Sequence, residues 1–205
     1  MHNRILDNFA MHIQLTDEEK ETAVSLLQSQ TIQKNRLLTT EGNVCRNMYF
    51  VDKGCLRIFS VDNESIEHNV MLCPENWWAA DVASFSTHTA AFYSIGALED
   101  SELFFYAYED LEKLYILVPK LERFFRIMFQ NGFSLYQNRI TSIASATAQE
   151  RYVAFSELYP ALEQRIAQKH IASYLGITPV FLSRIRKREF KKNKKTANLF
   201  RYPHL

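Results

Sequence analysis

The sequence predicts an α+β protein with an antiparallel β domain first, a long helix next and a pair of packed helices near the carboxyl end. Three observations carry this prediction. Short apolar runs separated by turn residues extend from about 32 to 106, an apolar stripe at helical spacing covers 121–135, and a turn centred on Gly176 joins two helical patterns. Apolar residues make up 47% of the 205 residues, which is sufficient for a folded core.

The composition excludes several classes of protein. The longest stretch without an acidic or basic residue, 82–98, is interrupted by six Ser, Thr and His residues, so we expect no membrane span. The amino terminus lacks the apolar core of a signal peptide. Three cysteines, Cys45, Cys55 and Cys73, cannot all pair with one another, which favours a reducing, cytoplasmic location.

The first predicted element is a helix that starts after Thr16. Thr16 and Glu19 have the spacing of a capping box, in which each side chain accepts a hydrogen bond from the other residue's backbone N–H. The helix should continue to about Gln28, with Val24 and Leu27 facing inward.

The strands are predicted from apolar runs bounded by turns. Residues 48–51 and 55–59 form two strands around a tight turn, where Gly54 can take a positive φ. Residues 66–72 and 94–105 are also strand-like, so the whole section should be antiparallel β structure.

A long helix is predicted to begin at Pro119 and to cover 120–144. Its apolar positions are spaced 4, 3, 4, 3, which is typical of a heptad seam between two helices, and these positions are Leu121, Phe125, Met128, Gly132 and Leu135. We favour pairing with the same helix of a second copy. The alternative is that the stripe packs on the β domain of its own chain.

A helix-turn-helix is the motif on which the functional hypothesis depends. Gly176 is the turn residue, Ala172 is small enough for two helices to cross closely, and Thr178 and Pro179 suit the start of the second helix. The inner faces are apolar, formed by Ile171, Leu175, Ile177, Leu182 and Ile185.

Charge is distributed unevenly along the chain. Residues 164–205 carry 11 basic residues and one acidic residue, a formal charge of +10, whereas residues 1–163 carry 13 basic and 22 acidic residues, a formal charge of −9. A basic end on an otherwise acidic chain is typical either of a module that binds a polyanion or of a solvated tail, and the helix-turn-helix before the tail favours binding of double-stranded DNA. The candidate contacts are Gln168, Lys169, Thr178, Val180, Phe181, Ser183, Arg184, Arg186, Lys187 and Arg188. In this set Arg184 would read a guanine, and the last three would neutralise phosphates.

These residues carry a family resemblance. The segment 168–179, followed by 182–186, closely resembles the DNA-binding end of bacterial Crp/Fnr-family transcription regulators. Residues 49–51, Gly54 and 56–57 are similar to core strands of that family's cyclic-nucleotide-binding β-roll, a double-stranded β-helix.

The resemblance implies a β-roll sensor domain over 1–107, connecting and dimerisation helices over 108–145 and a helix-turn-helix domain of winged-helix type over 146–205. It also implies a homodimer that binds a near-palindromic operator, with RNA polymerase as a further candidate partner. Effector and operator stay unidentified.

The chain departs from the family pattern in its nucleotide pocket. Relatives use a Gly-Glu pair for the ribose and, about ten residues later, an Arg beside Ser or Thr for the cyclic phosphate. Here these positions are occupied by Ala80-Asp81 and Ala91-Phe92, and no Lys or Arg lies between Arg57 and Lys113. Burying a phosphate without a cation is costly, so we predict that cyclic AMP does not bind by the family's mode.

Other departures concern the metal, the wing and the recognition helix. Three cysteines are too few for the four-cysteine iron–sulfur cluster of oxygen-sensing relatives, so neither a metal nor a cofactor is predicted. Six residues between Pro160 and Ala167 leave little room for a hairpin wing, and the basic tail from Lys191 onward could contact DNA instead. Val180 stands where relatives often carry a Glu that reads cytosine, and it offers only apolar contact.

Two further interpretations stay open. Five aromatic residues surround the place where relatives hold ligand, and they line either an apolar effector pocket or a collapsed core: Trp77, Trp78, Phe85, Phe92 and Tyr93. Asp81, a further candidate pocket residue, is either a remnant of the family's Glu or a turn residue. The alternative to a regulator is a ligand-sensing or interaction module without specific DNA binding. An enzyme is not expected, because the six histidines are scattered and no Gly-rich phosphate loop is present.

Overall fold

The protein is described by a computed structural model that covers the backbone of residues 2–199 and the side chains of residues 2–189. It has the predicted α+β composition. The chain divides into two compact units, Met1–Asn138 and Arg139–Leu205. The predicted three-part division at 107/108 and 145/146 stays a prediction.

The first unit contains both β-sheets and the helices that flank them. The strands are β1 Gln28–Ile32, β2 Leu37–Thr39, β3 Asn47–Lys53, β4 Leu56–Val61, β5 Glu67–Cys73, β6 Trp78–Ala79, β7 Ser94–Ala97 and β8 Ser101–Ala107. The helices up to the unit boundary are α1 Asn3–Ala10, α2 Asp17–Ser25, α3 Val82–Thr87, α4 Tyr108–Leu117 and the start of α5 Pro119–Ser145.

The strands form two four-stranded antiparallel sheets. The first sheet has the order β1-β8-β3-β6 and the second has the order β2-β7-β4-β5. Buried side chains of both sheets, such as Phe50 on β3 and Ile95 on β7, belong to one apolar cluster. The expectation of antiparallel β structure between 32 and 106 is therefore confirmed.

The turn at Gly54 does not close a hairpin. Strands β3 and β4 lie on either side of it as expected, yet β3 pairs with β6 and β8, whereas β4 pairs with β5 and β7. Gly54 has φ +99° and donates its N–H to Glu75 at 2.9 Å, while the N–H of Cys55 donates to the Ser101 hydroxyl at 3.2 Å. These contacts carry the chain from one sheet to the other.

The predicted long strand 94–105 is interrupted in the same way. Its first part, β7, belongs to the second sheet, and its last part, β8, belongs to the first sheet. The capping box of α2 is present, with the Glu19 N–H 3.2 Å from the Thr16 hydroxyl and the Thr16 N–H 2.7 Å from the Glu19 carboxylate. That helix ends at Ser25, three residues earlier than expected.

Helix α5 matches the predicted bounds of 120–144 within one residue at each end. Its first turns are buried against the β domain, because Leu121, Phe124 and Phe125 are almost inaccessible to solvent. The Trp78 ring lies 5.0 Å from that of Phe125 and 6.3 Å from that of Phe124, in edge-to-face geometry. Such aromatic contacts add specific geometry to apolar burial.

The second unit is helical over its described part. After the end of α5 it contains α6 Ala148–Leu158, α7 Leu162–Arg165, α8 Gln168–Leu175 and α9 Pro179–Leu199. No strand lies within residues 139–199, and the short helix α7 occupies the segment that was expected to have little room for a wing.

Gly54 offers a test of the crossing between the sheets. We expect Gly54→Ala to lower the free energy of unfolding by at least about 2 kcal/mol, since a methyl group at this positive φ would lie 2.2 Å from the Ser101 hydroxyl. Gly42→Ala is the matched control, because Gly42 also has a positive φ but a methyl group there meets no atom within 4 Å. Urea unfolding measures both, and equal losses would contradict the explanation.

Candidate functional site

The two helices expected around Gly176 are present, and the turn between them is defined by backbone geometry. Gly176 takes the left-handed conformation, with φ +66°, and ends α8. The N–H of Ile177 donates to the Ala172 carbonyl at 3.0 Å, and the Thr178 hydroxyl accepts the N–H of Phe181 at 3.2 Å. Thr178 therefore caps α9, and Pro179 is its first residue, as the sequence predicts.

Apolar side chains hold α8 and α9 together. Ile171, Ala172 and Leu182 are fully buried, and Leu175 and Ile185 are nearly so. A buried Ala at the crossing allows the close approach that this motif requires.

Opposite this buried face, the first turns of α9 present side chains to solvent. Val180 is 65% exposed, and Phe181 is also exposed. Of the other candidate DNA contacts, the exposed ones are Gln168, Lys169, Thr178, Arg184, Lys187 and Arg188, whereas Ser183 and Arg186 are half-buried. The proposed contacts of the tail from Lys191 onward concern side chains outside the described residues.

Arg186 has a role that the sequence did not suggest. It was expected to neutralise a phosphate, but its Nε lies 2.7 Å from a Glu163 carboxylate oxygen. The same carboxylate accepts a hydrogen bond from the Tyr152 hydroxyl at 2.6 Å. Burial, together with this carboxylate, raises the pKa of Tyr152. In this arrangement Arg186 joins α9 to α7 and α6 instead of pointing freely to solvent.

Two arginines that sequence reasoning missed support the end of α8. Arg139 donates to the Tyr174 carbonyl at 2.8 Å and lies 4.4 Å above the Tyr174 ring. Arg151 donates to the Leu175 carbonyl at 3.1 Å. Cations at a helix carboxyl end satisfy carbonyls that have no partner within the helix. Their sequence positions carry no pattern that would have identified them.

In the β domain, Asp81 is a buried structural residue. One carboxylate oxygen accepts the Ser84 N–H at 3.0 Å and so caps α3. The other oxygen accepts the N–H groups of Phe92 and Tyr93 at 2.8 and 3.0 Å. This carboxylate therefore accepts three backbone N–H groups of its own chain, from Ser84, Phe92 and Tyr93.

The aromatic residues expected around an effector do not converge on one pocket. Trp78 and Phe85 are buried in the core, Trp77 and Tyr93 are half-buried, and Phe92 is 67% exposed. The two tryptophans line a cavity of about 300 Å³ in the first unit, and the other members of the predicted set lie outside its lining.

Arg57 and the three cysteines of the β domain are each held in place, Arg57 by an ion pair and the cysteines by burial. Arg57 forms a two-point ion pair with Glu67, at 2.6 and 2.8 Å, and lies 3.8 Å above the Phe59 ring. The three cysteines are buried and unbridged, and burial raises the pKa of Cys45 and of Cys73. Within the described residues, no group of three or more His, Cys, Asp or Glu side chains could hold a metal ion.

The predicted dimer stripe of α5 faces mostly into its own unit. Leu121 and Phe125 are buried in the core, and Met128, Gly132 and Leu135 line the cavity that also contains the two tryptophans. The first part of the stripe thus packs on its own β domain, whereas Met128, Gly132 and Leu135 are only half-buried, and the pairing of the stripe with a second copy stays a prediction.

Comparisons with known proteins identify the fold. Residues 29–116 match the family model of the cyclic nucleotide-binding domain. None of the curated proteins matches the sequence. Within residues 2–199, no helix is both long and apolar enough to cross a membrane.

Solved structures resemble both units of the chain. FixK2 from Bradyrhizobium japonicum is 15% identical with a TM-score of 0.71, over 82% of this chain and 86% of that one. The c-di-GMP-responsive global regulator CLP from Xanthomonas campestris is 14% identical with a TM-score of 0.67, over 87% and 93%. A transcriptional regulator of the Crp/Fnr family from Eubacterium rectale is 18% identical with a TM-score of 0.64, over 87% and 85%. The chain therefore matches the cyclic nucleotide-binding domain over residues 29–116 and shares its fold with FixK2, CLP and the Crp/Fnr-family regulator.

Proposed function

We propose that this protein is a dimeric transcription regulator that binds double-stranded DNA through α8 and α9. The observation that carries the proposal is the exposed first half of α9, which presents Val180, Phe181 and Arg184 on a helix whose opposite face is buried. A helix held in this way can enter the major groove with its first turns against the base edges. The formal charge of +10 over residues 164–205 supplies attraction for the phosphate backbone.

The contacts divide by their expected role. Arg184 is exposed and can present a two-donor fork to a guanine, while Lys187 and Arg188 can meet phosphates. Gln168 and Lys169 are exposed at the amino end of α8, where free N–H groups also attract phosphate. Arg186 acts as a positioning residue, because its ion pair with Glu163 holds α9 on the rest of the unit.

Dimerisation is proposed through a different stripe of α5 from the one that the sequence favours. Phe133 and Ile140 are more than 60% exposed, and Ile143 is also exposed. Together with the half-buried Phe129 and Tyr136, these residues repeat the spacing 4, 3, 4, 3 that suits helix pairing. Two copies of the DNA-binding unit would then meet two half-sites about one turn of duplex apart.

The sensor-type domain is proposed not to bind cyclic AMP in the family's manner. The N–H groups of Phe92 and Tyr93 already donate hydrogen bonds to the Asp81 carboxylate. The negative charge of this carboxylate would also repel a phosphate placed beside it. The nearest basic residue before it in sequence, Arg57, is engaged by Glu67.

DNA binding is tested first with wild-type protein and the tightest duplex selected from a random library. A regulator binds this duplex well above random DNA, with an affinity that falls steeply with salt. We expect Arg184→Ala to lose about 1–3 kcal/mol of binding free energy and to relax the preference at one base pair, as measured by fluorescence anisotropy.

Arg123→Ala removes an exposed arginine from α5 and serves as the matched control. Unchanged affinity in the Arg184 variant, or equal loss in both variants, would overturn the assignment. A wild-type protein without preference for any duplex would support the ligand-sensing or interaction module instead.

Cyclic AMP binding is tested by titration calorimetry. We expect no heat of binding at millimolar nucleotide, because the Asp81 carboxylate occupies the donors that a phosphate would need. Binding at micromolar concentration or tighter would contradict this expectation.

The dimer is tested by replacing an apolar residue of the exposed stripe. We expect Phe133→Glu to convert the dimer to a monomer in analytical ultracentrifugation, since two carboxylates would have to be buried at a helix seam. Phe92→Glu is the control, because Phe92 is equally exposed but lies on a loop of the β domain. A wild-type monomer, or a Phe133 variant that stays dimeric, would refute the proposed seam.

A further inference from the structure

A cavity of about 300 Å³ lies in the first unit between α1, the turn before β6 and α5. Its volume falls at the lower end of the range of small-molecule sites in proteins. The cavity is separate from the Asp81 loop, because neither Asp81 nor the adjacent Phe92 and Tyr93 contribute to its lining.

The lining has an unusual composition. Met11, Met71 and Met128 are three of the five methionines in the chain, and Trp77 and Trp78 are its only tryptophans. Methionine side chains adapt their shape and make favourable contacts with aromatic rings, and tryptophan offers large flat apolar faces. This combination favours a flat, polarisable apolar ligand.

The lining also defines the charge of the ligand. It contains no Asp, Glu, Lys or Arg side chain, and its polar members include the exposed Asn76, Asn131 and His12. A charged ligand would be desolvated there without an ion-pair partner, which is costly. The amide groups can instead serve one hydrogen-bonding edge of an uncharged molecule.

Gly132 provides an independent observation. A glycine inside a helix costs about 1 kcal/mol relative to alanine, and close helix packing would explain its presence. In the described structure, however, a methyl group added at Gly132 meets no heavy atom within 4 Å. No contact with the described residues requires a glycine here, and its lack of a side chain enlarges the cavity on the α5 side.

The floor of the cavity is fixed before any ligand binds. The buried Asn8 side chain accepts the indole N–H of Trp78 at 3.0 Å and donates to the Asn76 carbonyl at 3.1 Å. These two bonds orient the Trp78 ring and the turn beside it. A preorganised wall lowers the entropy lost on binding.

We propose that this cavity binds a small, uncharged, flat apolar molecule with one hydrogen-bonding edge. The ligand contacts α5 through Met128 and Gly132 and the β domain through the two tryptophans. The binding site is inferred from its lining residues alone. Only its role as the effector site of a regulator rests on the proposed function.

The test uses N-phenyl-1-naphthylamine, an uncharged aromatic probe that accepts energy from tryptophan. Both tryptophans of the chain line the cavity, so a probe bound there accepts energy from them, and the cavity-filling variants show whether the transfer comes from this site. We expect saturable one-to-one transfer with the wild-type protein. Gly132→Leu fills the cavity and should weaken probe binding at least about tenfold.

Ser134→Leu places the same side chain on an exposed position of α5 outside the lining, and it should bind the probe as the wild type does. Met128→Phe narrows the cavity from a neighbouring turn without adding a tryptophan donor and should also weaken probe binding, so the test does not depend on the folding of one variant.

The absence of saturable transfer in the wild type would overturn the proposal, and so would unchanged probe affinity in both filling variants. If Gly132→Leu changes the oligomeric state and leaves probe affinity unchanged, the cavity is occupied by a second copy of the chain instead of a small molecule, and the proposal is wrong. Probe binding is measured without DNA. A protein that binds the probe but no duplex therefore refutes the proposed function and leaves the cavity assignment intact.

Discussion

The contact of Phe124 and Phe125 with Trp78 determines the rotation of α5, and most of the functional arrangement in the first unit depends on that rotation. With these rings buried, the α5 residues Met128, Gly132 and Leu135 face α1 and the Trp77 turn. The faces left to solvent are then fixed by helical geometry. One buried aromatic contact thus decides both which residues surround the cavity and which residues are free for a second copy.

The elements that the sequence predicts well are those determined by neighbouring residues. Gly176, Thr178 and Pro179 define a helix end and a helix start within four positions, and the structure has both. The Gly54 turn was identified for the same local reason, but its strands join different sheets, because strand pairing is set by distant partners such as Ser101. A turn residue such as Gly54 shows where the chain changes direction, but it does not show which strands pair with each other.

In α5, the spacing of the apolar residues likewise does not identify their packing partner. A spacing of 4, 3, 4, 3 describes a stripe that packs on the same chain as well as one that pairs with a second helix. The stripe from Leu121 to Leu135 is buried at Leu121 and Phe125 and lines the cavity further along, whereas the stripe that includes Phe133 and Ile140 is exposed. Deciding between them requires the burial of each position, which periodicity does not contain. Likewise, the sequence assigns both Arg184 and Arg186 to DNA, and only the structure shows that Arg186 is half-buried and paired with Glu163.

The burial of all three thiols has a consequence for the chemistry of the protein. Cys45, Cys55 and Cys73 belong to or flank the β-sheets, and solvent reaches none of them. Since the reactive species is the thiolate, and burial raises the pKa of Cys45 and of Cys73, alkylating reagents react only when the native structure around a thiol opens. The rate of cysteine alkylation in the native protein therefore measures how often the β domain opens transiently.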